Sequence, residues 1–309
     1  MNEALQGGRG SPMVSIGMPL YNEETHLRQS LDSLLAQDFT DFELIISDNA
    51  SEDSTQKICL AYVAQDARIR YCGNQVNLGS TENFNRAFRL SSGKYFMWAS
   101  GHDLWAPTFL SRCVEVLERD PSVVLCYPQS IVIDGHGKKV EVVQGAYLDS
   151  RNLGLVLRVT LAICGAGSAY MIYGVIGHEA LAQTRLFRRV MEPEYVLLTE
   201  LSVLGSFAQV PEALFYIRLK WGTETKRQWT TRAFEAMNPS TKPQHIRFPY
   251  LGWIREELLA VKDARLDRGR KAVLMACVVL GYFSRYRVHL PLTLHLALRG
   301  LLRRLGIKV

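Results

Sequence analysis

Three polar clusters, each directly after an apolar segment, carry side chains suited to binding a nucleotide. Tyr21, Asn22 and Glu23 follow the first of these segments. An aromatic ring with polar neighbours can stack on a nucleobase. The plainer interpretation is that these residues begin a helix, and the cluster alone leaves both interpretations open.

The second cluster is formed by Asp48 and Asn49 in the segment SDNAS. The carboxylate of Asp48 can accept the imide N–H of a uracil base, or it can cap the helix that follows. Neither interpretation is favoured by these residues alone.

The third cluster is formed by His102 and Asp103. A divalent metal bound to a nucleoside diphosphate takes one or two carboxylates from the protein and completes its shell with phosphate oxygens and water. An imidazole ligand favours Mn²⁺ over Mg²⁺. We therefore regard both residues as candidate metal ligands, although a single Asp at a strand end more often belongs to a turn.

Three acids further along the chain, Glu192, Glu194 and Glu200, precede and enter a predicted helix at 195–204. A carboxylate near an acceptor hydroxyl can remove its proton as that hydroxyl attacks a sugar. Acids at the start of a helix are also stabilised by the helix dipole without any catalytic role.

Several enzyme classes lack their defining motifs in this chain. The sequence contains no P-loop, no glycine-rich dinucleotide motif after a strand, no HExxH and no GxSxG. Its six cysteines form no CxxC pair, so neither zinc-ligand spacing nor a disulfide framework is indicated.

The elements that must position these residues alternate between strands and helices. Such alternation predicts an α/β fold with a mainly parallel central sheet flanked by helices, and ligands in such sheets bind at the carboxyl ends of the strands. Strands are predicted at 13–18, where Pro19 ends the strand, and at 42–47, 69–72, 94–99, 123–127 and 131–133. Helices are predicted at 26–36, 53–65, 81–90 and 107–118.

The second half of the chain is more helical, with strands predicted near 169–173 and 213–218. We divide the chain into a flexible N-terminus at 1–12, a catalytic domain at 13–222, a linker and helical segment at 223–267, and a basic apolar tail at 268–309.

The positive charge of the chain is concentrated in that tail. Residues 268–309 hold nine of the 36 Lys and Arg residues and none of the 30 Asp and Glu residues. The main domain is therefore slightly acidic, and a nucleic-acid partner is not indicated. A basic apolar helical tail predicts an anchor on an anionic membrane surface, and its alternative is a set of helices packed on the catalytic domain. No signal peptide is recognised, and no apolar run reaches the roughly 18–20 residues of a membrane span.

Taken together, the ordered motifs resemble those of the family 2 glycosyltransferases. The matching stretches are VSIGMPLYNEE at 14–24, LDSLLAQDFTDFELIISDNASED at 31–53, RIRYCGNQVNLGSTENFNRAF at 68–88, GKYFMWASGHDLWAPTFLSRCVEVLERDP at 93–121 and EYVLLTELSVLGSFAQVPEALFYIR at 194–218. The resemblance covers roughly residues 13–222.

This resemblance implies a GT-A fold, a nucleotide-sugar donor, a divalent metal (Mn²⁺ or Mg²⁺) and inversion at the anomeric carbon. It places Glu194 as the general base and Asp103, with His102, at the metal. The donor-binding residues that it implies are Pro19, Tyr21, Asn22, Glu23, Asp48, Asn49, Asn77, Asn85, Arg86 and Lys220.

Three positions depart from the usual family pattern. His102 stands where relatives usually have an acid, Tyr195 where an Arg commonly follows the base, and Lys220 where a His commonly follows the last strand. Lys220 can partly replace a cation by pairing with phosphate. We therefore expect metal dependence that is weakened or shifted toward Mn²⁺.

The predicted function is transfer of a sugar from a UDP- or GDP-linked donor to a lipid-linked or polysaccharide acceptor at the cytoplasmic membrane face. One alternative is a catalytically impaired nucleotide-sugar-binding scaffold in a membrane-associated assembly. A nucleotidyltransferase would need a glycine-rich basic loop after the first strand, where this chain reads YNEE.

Overall fold

The computed structural model describes residues 11–143, 149–165, 169–218, 235–237 and 251–286. Its strands are β1 (Val14–Leu20), β2 (Phe42–Asp48), β3 (Ile69–Gly73), β4 (Tyr95–Trp98), β5 (Leu104–Trp105), β6 (Val123–Ile133), β7 (Lys139–Val143), β8 (Val175–Gly177) and β9 (Ser206–Arg218). Its helices are α1 (Leu27–Leu35), α2 (Thr55–Val63), α3 (Ser80–Arg89), α4 (Phe109–Arg119), α5 (Leu155–Gly165), α6 (His178–Ala182), α7 (Pro193–Leu204), α8 (Leu251–Asp263) and α9 (Arg268–Tyr286), with a 3-10 helix at Ala169–Tyr173.

The strands form one mixed sheet in the order β3-β2-β1-β4-β8-β6-β9-β5, and β7 pairs with β6. The first four strands of this order run parallel. β8 lies antiparallel between β4 and β6, and β6 pairs in parallel with β9. The predicted α/β architecture is confirmed, whereas the antiparallel strands β5, β7 and β8 are features that alternation of strands and helices did not predict.

Side chains of β4 alternate between two cores because successive residues of a strand point to opposite faces of the sheet. Tyr95 and Met97 lie in the core beneath α1, α2 and α4. Phe96 and Trp98 lie in the core shared with α3, α6 and α7. The sheet is therefore covered on both faces, which leaves the strand ends as the place where its polar side chains are accessible to a ligand.

Close packing of α3 on the sheet depends on Gly17. A β-carbon at this position would lie 2.6 Å from the Phe96 ring and 3.0 Å from Ala87 of α3. α3 follows β3 and precedes the parallel β4, so it begins at the carboxyl edge of the strands. α7 precedes β9, which runs in the same direction, so it begins at that edge too.

Three predicted elements are corrected by the structure. Pro19 lies inside β1, paired with Ser47, and does not end the strand. The two strands predicted at 123–133 are one strand, in which Pro128 sits where the register with β9 shifts and its missing N–H interrupts no regular ladder. The strand predicted near 169–173 is the 3-10 helix.

The last two described helices belong to the same packed body as the catalytic half. Trp253 of α8 is buried among residues of α7, and Leu274, Cys277 and Val278 of α9 pack with Val159 of α5. One face of residues 268–286 in the predicted tail therefore packs on the protein. Residues 287–309, 223–234 and 238–250 lie outside the described residues, and membrane anchoring by the tail stays a prediction.

Candidate active site

Hydrogen bonds join the loops after β1 and β2. The backbone N–H of Asn22 donates to Ser51 Oγ at 3.0 Å, and the Asn22 side chain accepts from the N–H of Glu52 at 2.9 Å. Asn22 and Ala50 both adopt positive φ angles, 53° and 61°. Strained conformations of this kind are kept where the surrounding contacts hold them, often at functional sites.

Asp48, at the end of β2, is 2 % exposed and stabilises the loop that follows it. Its carboxylate accepts from Ser51 Oγ at 2.5 Å and from the Tyr71 hydroxyl at 2.6 Å. Burial, followed by the charge of Asp48, raises the pKa of Tyr71 above its ordinary value. Tyr21 is 43 % exposed at the same edge, so its ring is accessible to a base.

Asparagine side chains set the path of the chain from β3 into α3. Asn49 Nδ2 donates to Asn77 Oδ1 at 2.7 Å, and Asn49 Oδ1 accepts from the N–H of Leu78 at 2.9 Å. Asn83 Nδ2 donates to the carbonyl of Ser47 at 2.8 Å. Asn83 was not predicted, although an amide among the sheet-facing positions of a helix is the signal that marks it.

Asn85 and Arg86 face protein groups in this structure. Asn85 exchanges two hydrogen bonds of 3.0 Å with the backbone of Phe187. Arg86 Nη1 donates to Ser47 Oγ at 3.0 Å and to the carbonyl of Cys72 at 2.9 Å. These contacts give both residues a positioning role, and contact with the nucleotide stays a prediction for them.

His102 and Glu23 bring the loop after β4 against the loop after β1. His102 Nδ1 lies 3.3 Å from Glu23 Oε2. Gly101 makes this approach possible, because a β-carbon there would lie 2.7 Å from Leu20 and 3.0 Å from Glu23.

Asp103 is 4 % exposed and turned into the protein. Its two oxygens accept from Ser100 Oγ at 2.5 Å and from the backbone N–H of Arg218 at 2.8 Å. Burial raises the pKa of Asp103, against the lowering effect of His102 and of these hydrogen bonds. The carboxylate therefore joins the loop after β4 to the end of β9, a role that the sequence did not indicate.

A cavity of about 590 Å³ opens between the N-termini of α3 and α7 and the 3-10 helix. Glu192 and Glu194 line it on the α7 side. Five of its fifteen lining residues are aromatic: Phe84, Tyr170, Tyr173, Phe187 and Tyr195. Glu192 precedes α7 with a positive φ of 52°. Aromatic rings with few polar groups are the surroundings that a sugar ring can stack against.

Tyr173, in the wall of this cavity, lies within electrostatic range of three of the predicted acids. Burial and then the negative charges of Asp103, Glu194 and Glu23 raise its pKa. The structure thus brings these three predicted residues into one electrostatic neighbourhood. Glu200 is held elsewhere, because its carboxylate accepts from Arg185 Nε at 2.5 Å. Lys220 lies outside the described residues.

His102 and Glu23 are a donor set that fits a divalent cation. Their imidazole nitrogen and carboxylate oxygen already face each other, and a diphosphate and water would supply the remaining ligands. Within the part of the chain that the structure describes, no group of three or more His, Cys, Asp or Glu side chains forms a metal cluster. Asp103 fits less well, since both of its oxygens already hold protein groups.

Comparison with known proteins agrees with this geometry. The profile of the family described as Glycosyl transferase family 2 matches residues 15–172. An uncharacterized glycosyltransferase of Rickettsia prowazekii is 33 % identical over 125 residues, which are 40 % of this chain and 38 % of that protein. The chondroitin synthase of Escherichia coli is 31 % identical over 129 residues, 42 % of this chain and 19 % of the synthase. The chain thus spans about two fifths or less of the length of these relatives.

Two solved structures share the fold. S. aureus TarS 1–349 in complex with UDP-GlcNAc matches with a TM-score of 0.66 and 19 % identity, over 88 % of this chain and 72 % of TarS. The mannosyltransferase PcManGT of Pyrobaculum calidifontis, in complex with GDP-Man and Mn²⁺, matches with a TM-score of 0.53 and 17 % identity, over 96 % of this chain and 81 % of that enzyme. The predicted GT-A fold is confirmed by these matches.

Proposed function

Because the chain belongs to glycosyltransferase family 2, we propose that it transfers a sugar from a UDP- or GDP-linked donor to an acceptor hydroxyl, with inversion at the anomeric carbon. The observation that carries this proposal is the position of Glu194. It lines an aromatic cavity and shares an electrostatic neighbourhood with the acids that follow β1 and β4.

In the proposed reaction Glu194 accepts the proton of the acceptor hydroxyl while that oxygen forms a bond to the anomeric carbon. The bond from this carbon to the diphosphate oxygen breaks on the opposite face, and the nucleoside diphosphate leaves. The cavity beside Glu194 orients the sugar, because five aromatic side chains lie in its walls.

Donor recognition is proposed for the loops after β1 and β2. Tyr21 offers an exposed ring for the base, while Asp48 and Asn49 hold the backbone around it. His102 and Glu23 would hold a divalent cation, which supplies positive charge for the departing diphosphate. Lys220 would add a point charge at the same phosphates.

The acceptor class and the cellular location are proposals from the sequence. A lipid-linked or polysaccharide acceptor at the cytoplasmic face of the membrane is consistent with the basic, apolar residues of 268–309. None of the described helices combines the length and the hydropathy that a membrane crossing requires.

The proposed base is tested by Glu194→Gln, with Glu192→Gln as the matched control from the same cavity wall. Glu194→Gln should bind donor as the wild type does while turnover falls about 10²-fold or more. Glu192→Gln should keep most of its turnover. Both variants and the wild type are assayed for release of nucleotide from UDP- and GDP-sugars with Mn²⁺, and donor binding is measured by calorimetry.

Each outcome bears on a different statement. Near-normal turnover in Glu194→Gln would show that the base lies elsewhere. Donor binding without turnover in the wild type would favour the catalytically impaired scaffold. Absence of binding to every donor tested would contradict the proposed function itself.

A further inference from the structure

One face of α9 is the inner face and packs on the protein. Leu274, Cys277 and Val278 are fully buried against α5 and α8. At Gly281 a β-carbon would lie 2.9 Å from Ile163, so the two helices touch closely there. These contacts with α5 and α8 fix the position of α9 on the protein.

The opposite face of α9 is also apolar. Ala272, Val273 and Ala276 are exposed, Val273 by 37 %. Val279, Leu280 and Phe283 continue the same side at helical spacing and are half-buried. We call these six residues the outer stripe. A surface helix usually carries polar residues opposite its core face, so a helix that is apolar on both sides indicates a second apolar environment.

A basic turn lies at the start of the outer stripe. The turn between α8 and α9 and its flanks carry five Lys and Arg residues against two Asp residues: Lys262, Arg265, Arg268, Arg270 and Lys271, with Asp263 and Asp267. Four of the five basic residues are exposed. An apolar stripe beside a basic cluster is the pattern of a helix that lies in the interface of an anionic bilayer.

We propose that the outer stripe and the basic turn form a docking surface for an anionic lipid bilayer. This surface goes beyond the proposed reaction, because binding to lipid requires neither donor nor turnover. Lipid is favoured over a second copy of the chain by charge. A symmetric contact through the stripe would bring two basic turns toward each other, whereas anionic headgroups neutralise them.

The surface is tested by sedimentation of the full chain with phosphatidylcholine vesicles that contain or lack phosphatidylglycerol. Val273→Glu and Ala276→Glu place a charge in the stripe, and Val140→Glu is the matched control on the exposed β7. We expect both stripe variants to bind anionic vesicles at least about tenfold more weakly than Val140→Glu and the wild type. Arg268→Gln with Arg270→Gln should weaken binding only when phosphatidylglycerol is present.

A position-specific readout separates α9 from residues 287–309. An environment-sensitive fluorophore on Val273→Cys, in a chain whose exposed Cys164 is replaced by Ser, should shift to the blue with anionic vesicles, while the same label on Val140→Cys should not.

Three results would overturn the docking surface: no vesicle binding by the wild type, stripe variants that bind like Val140→Glu, or an unshifted label at 273. A stripe variant that abolishes self-association in analytical ultracentrifugation, with vesicle binding unchanged, would assign the stripe to a second copy instead. Donor turnover is measured separately, so a failed docking surface and a failed glycosyltransferase are distinguishable.

Discussion

Asp103 is buried at the carboxyl edge of the sheet, and the free energy of unfolding that is lost on its replacement follows from its two hydrogen bonds. In Asp103→Ala the buried N–H of Arg218 loses its acceptor, which costs about 1–3 kcal/mol. The hydroxyl of Ser100 also loses its partner, at about 1 kcal/mol. We therefore expect a loss of about 3 kcal/mol in the free energy of unfolding.

Asp103→Asn separates the hydrogen bonds from the charge. The amide oxygen can still accept from the N–H of Arg218, and the amide nitrogen can donate to Ser100 Oγ. Most of the stability should be kept. For a chain of this size a loss of about 3 kcal/mol lowers Tm by roughly 5 °C, so the Ala and Asn variants should differ clearly.

The measurement is thermal unfolding of the full chain, followed by circular dichroism, first in EDTA and then with Mn²⁺. In EDTA we expect a lowered Tm for Asp103→Ala and a Tm near that of the wild type for Asp103→Asn. If both variants unfolded like the wild type in EDTA and differed only in the stabilisation that Mn²⁺ provides, Asp103 would act as a metal ligand and the reasoning above would be refuted.

Three further predictions concern other parts of the molecule. Arg185→Met removes the ion pair with Glu200 and one of the three described Arg side chains that pair with Glu256, and should cost about 2 kcal/mol in urea unfolding, whereas equal midpoints would contradict this. His102→Asp should move the preferred ion from Mn²⁺ toward Mg²⁺ in the turnover assay, and an unchanged preference would count against His102 as a ligand. Burial lowers the pKa of His178, so its neutral form stabilises the fold above about pH 6.5. This stability should fall as the pH drops below that value. In pH-dependent unfolding, His178→Gln should flatten the slope of stability against pH.

The parallel half of the fold was predictable because its strands are short apolar runs and α1 repeats Leu at helical spacing. Residues 169–173 were misassigned, since five apolar residues without a longer period suit a buried strand and a 3-10 helix equally. The single strand at 123–133 was predicted as two, because the register shift that accommodates Pro128 depends on the partner strand, which a local pattern does not contain.

The position of the candidate residues at the strand ends was predictable, whereas their contacts were not. Strand ends place Asp48 and Asp103 at one edge by topology alone. Their partners come from distant parts of the chain: Asp103 holds the backbone of Arg218, 115 residues away. The aromatic cavity likewise requires α3, α7 and the 3-10 helix together, and no single segment of the sequence predicts it.

The ion pairs of Arg185 indicate how much of the chain the folded enzyme requires. Arg185 joins Glu200 of α7 to Glu256 of α8, and Trp253 of α8 is buried against α7 and against Tyr282 of α9. A chain shortened to residue 222 would therefore lack Trp253, expose the apolar residues of α7 that pack against it, and leave Arg185 without Glu256. Expression or crystallisation of a shorter form should retain residues through at least 286, although the family likeness stops far earlier.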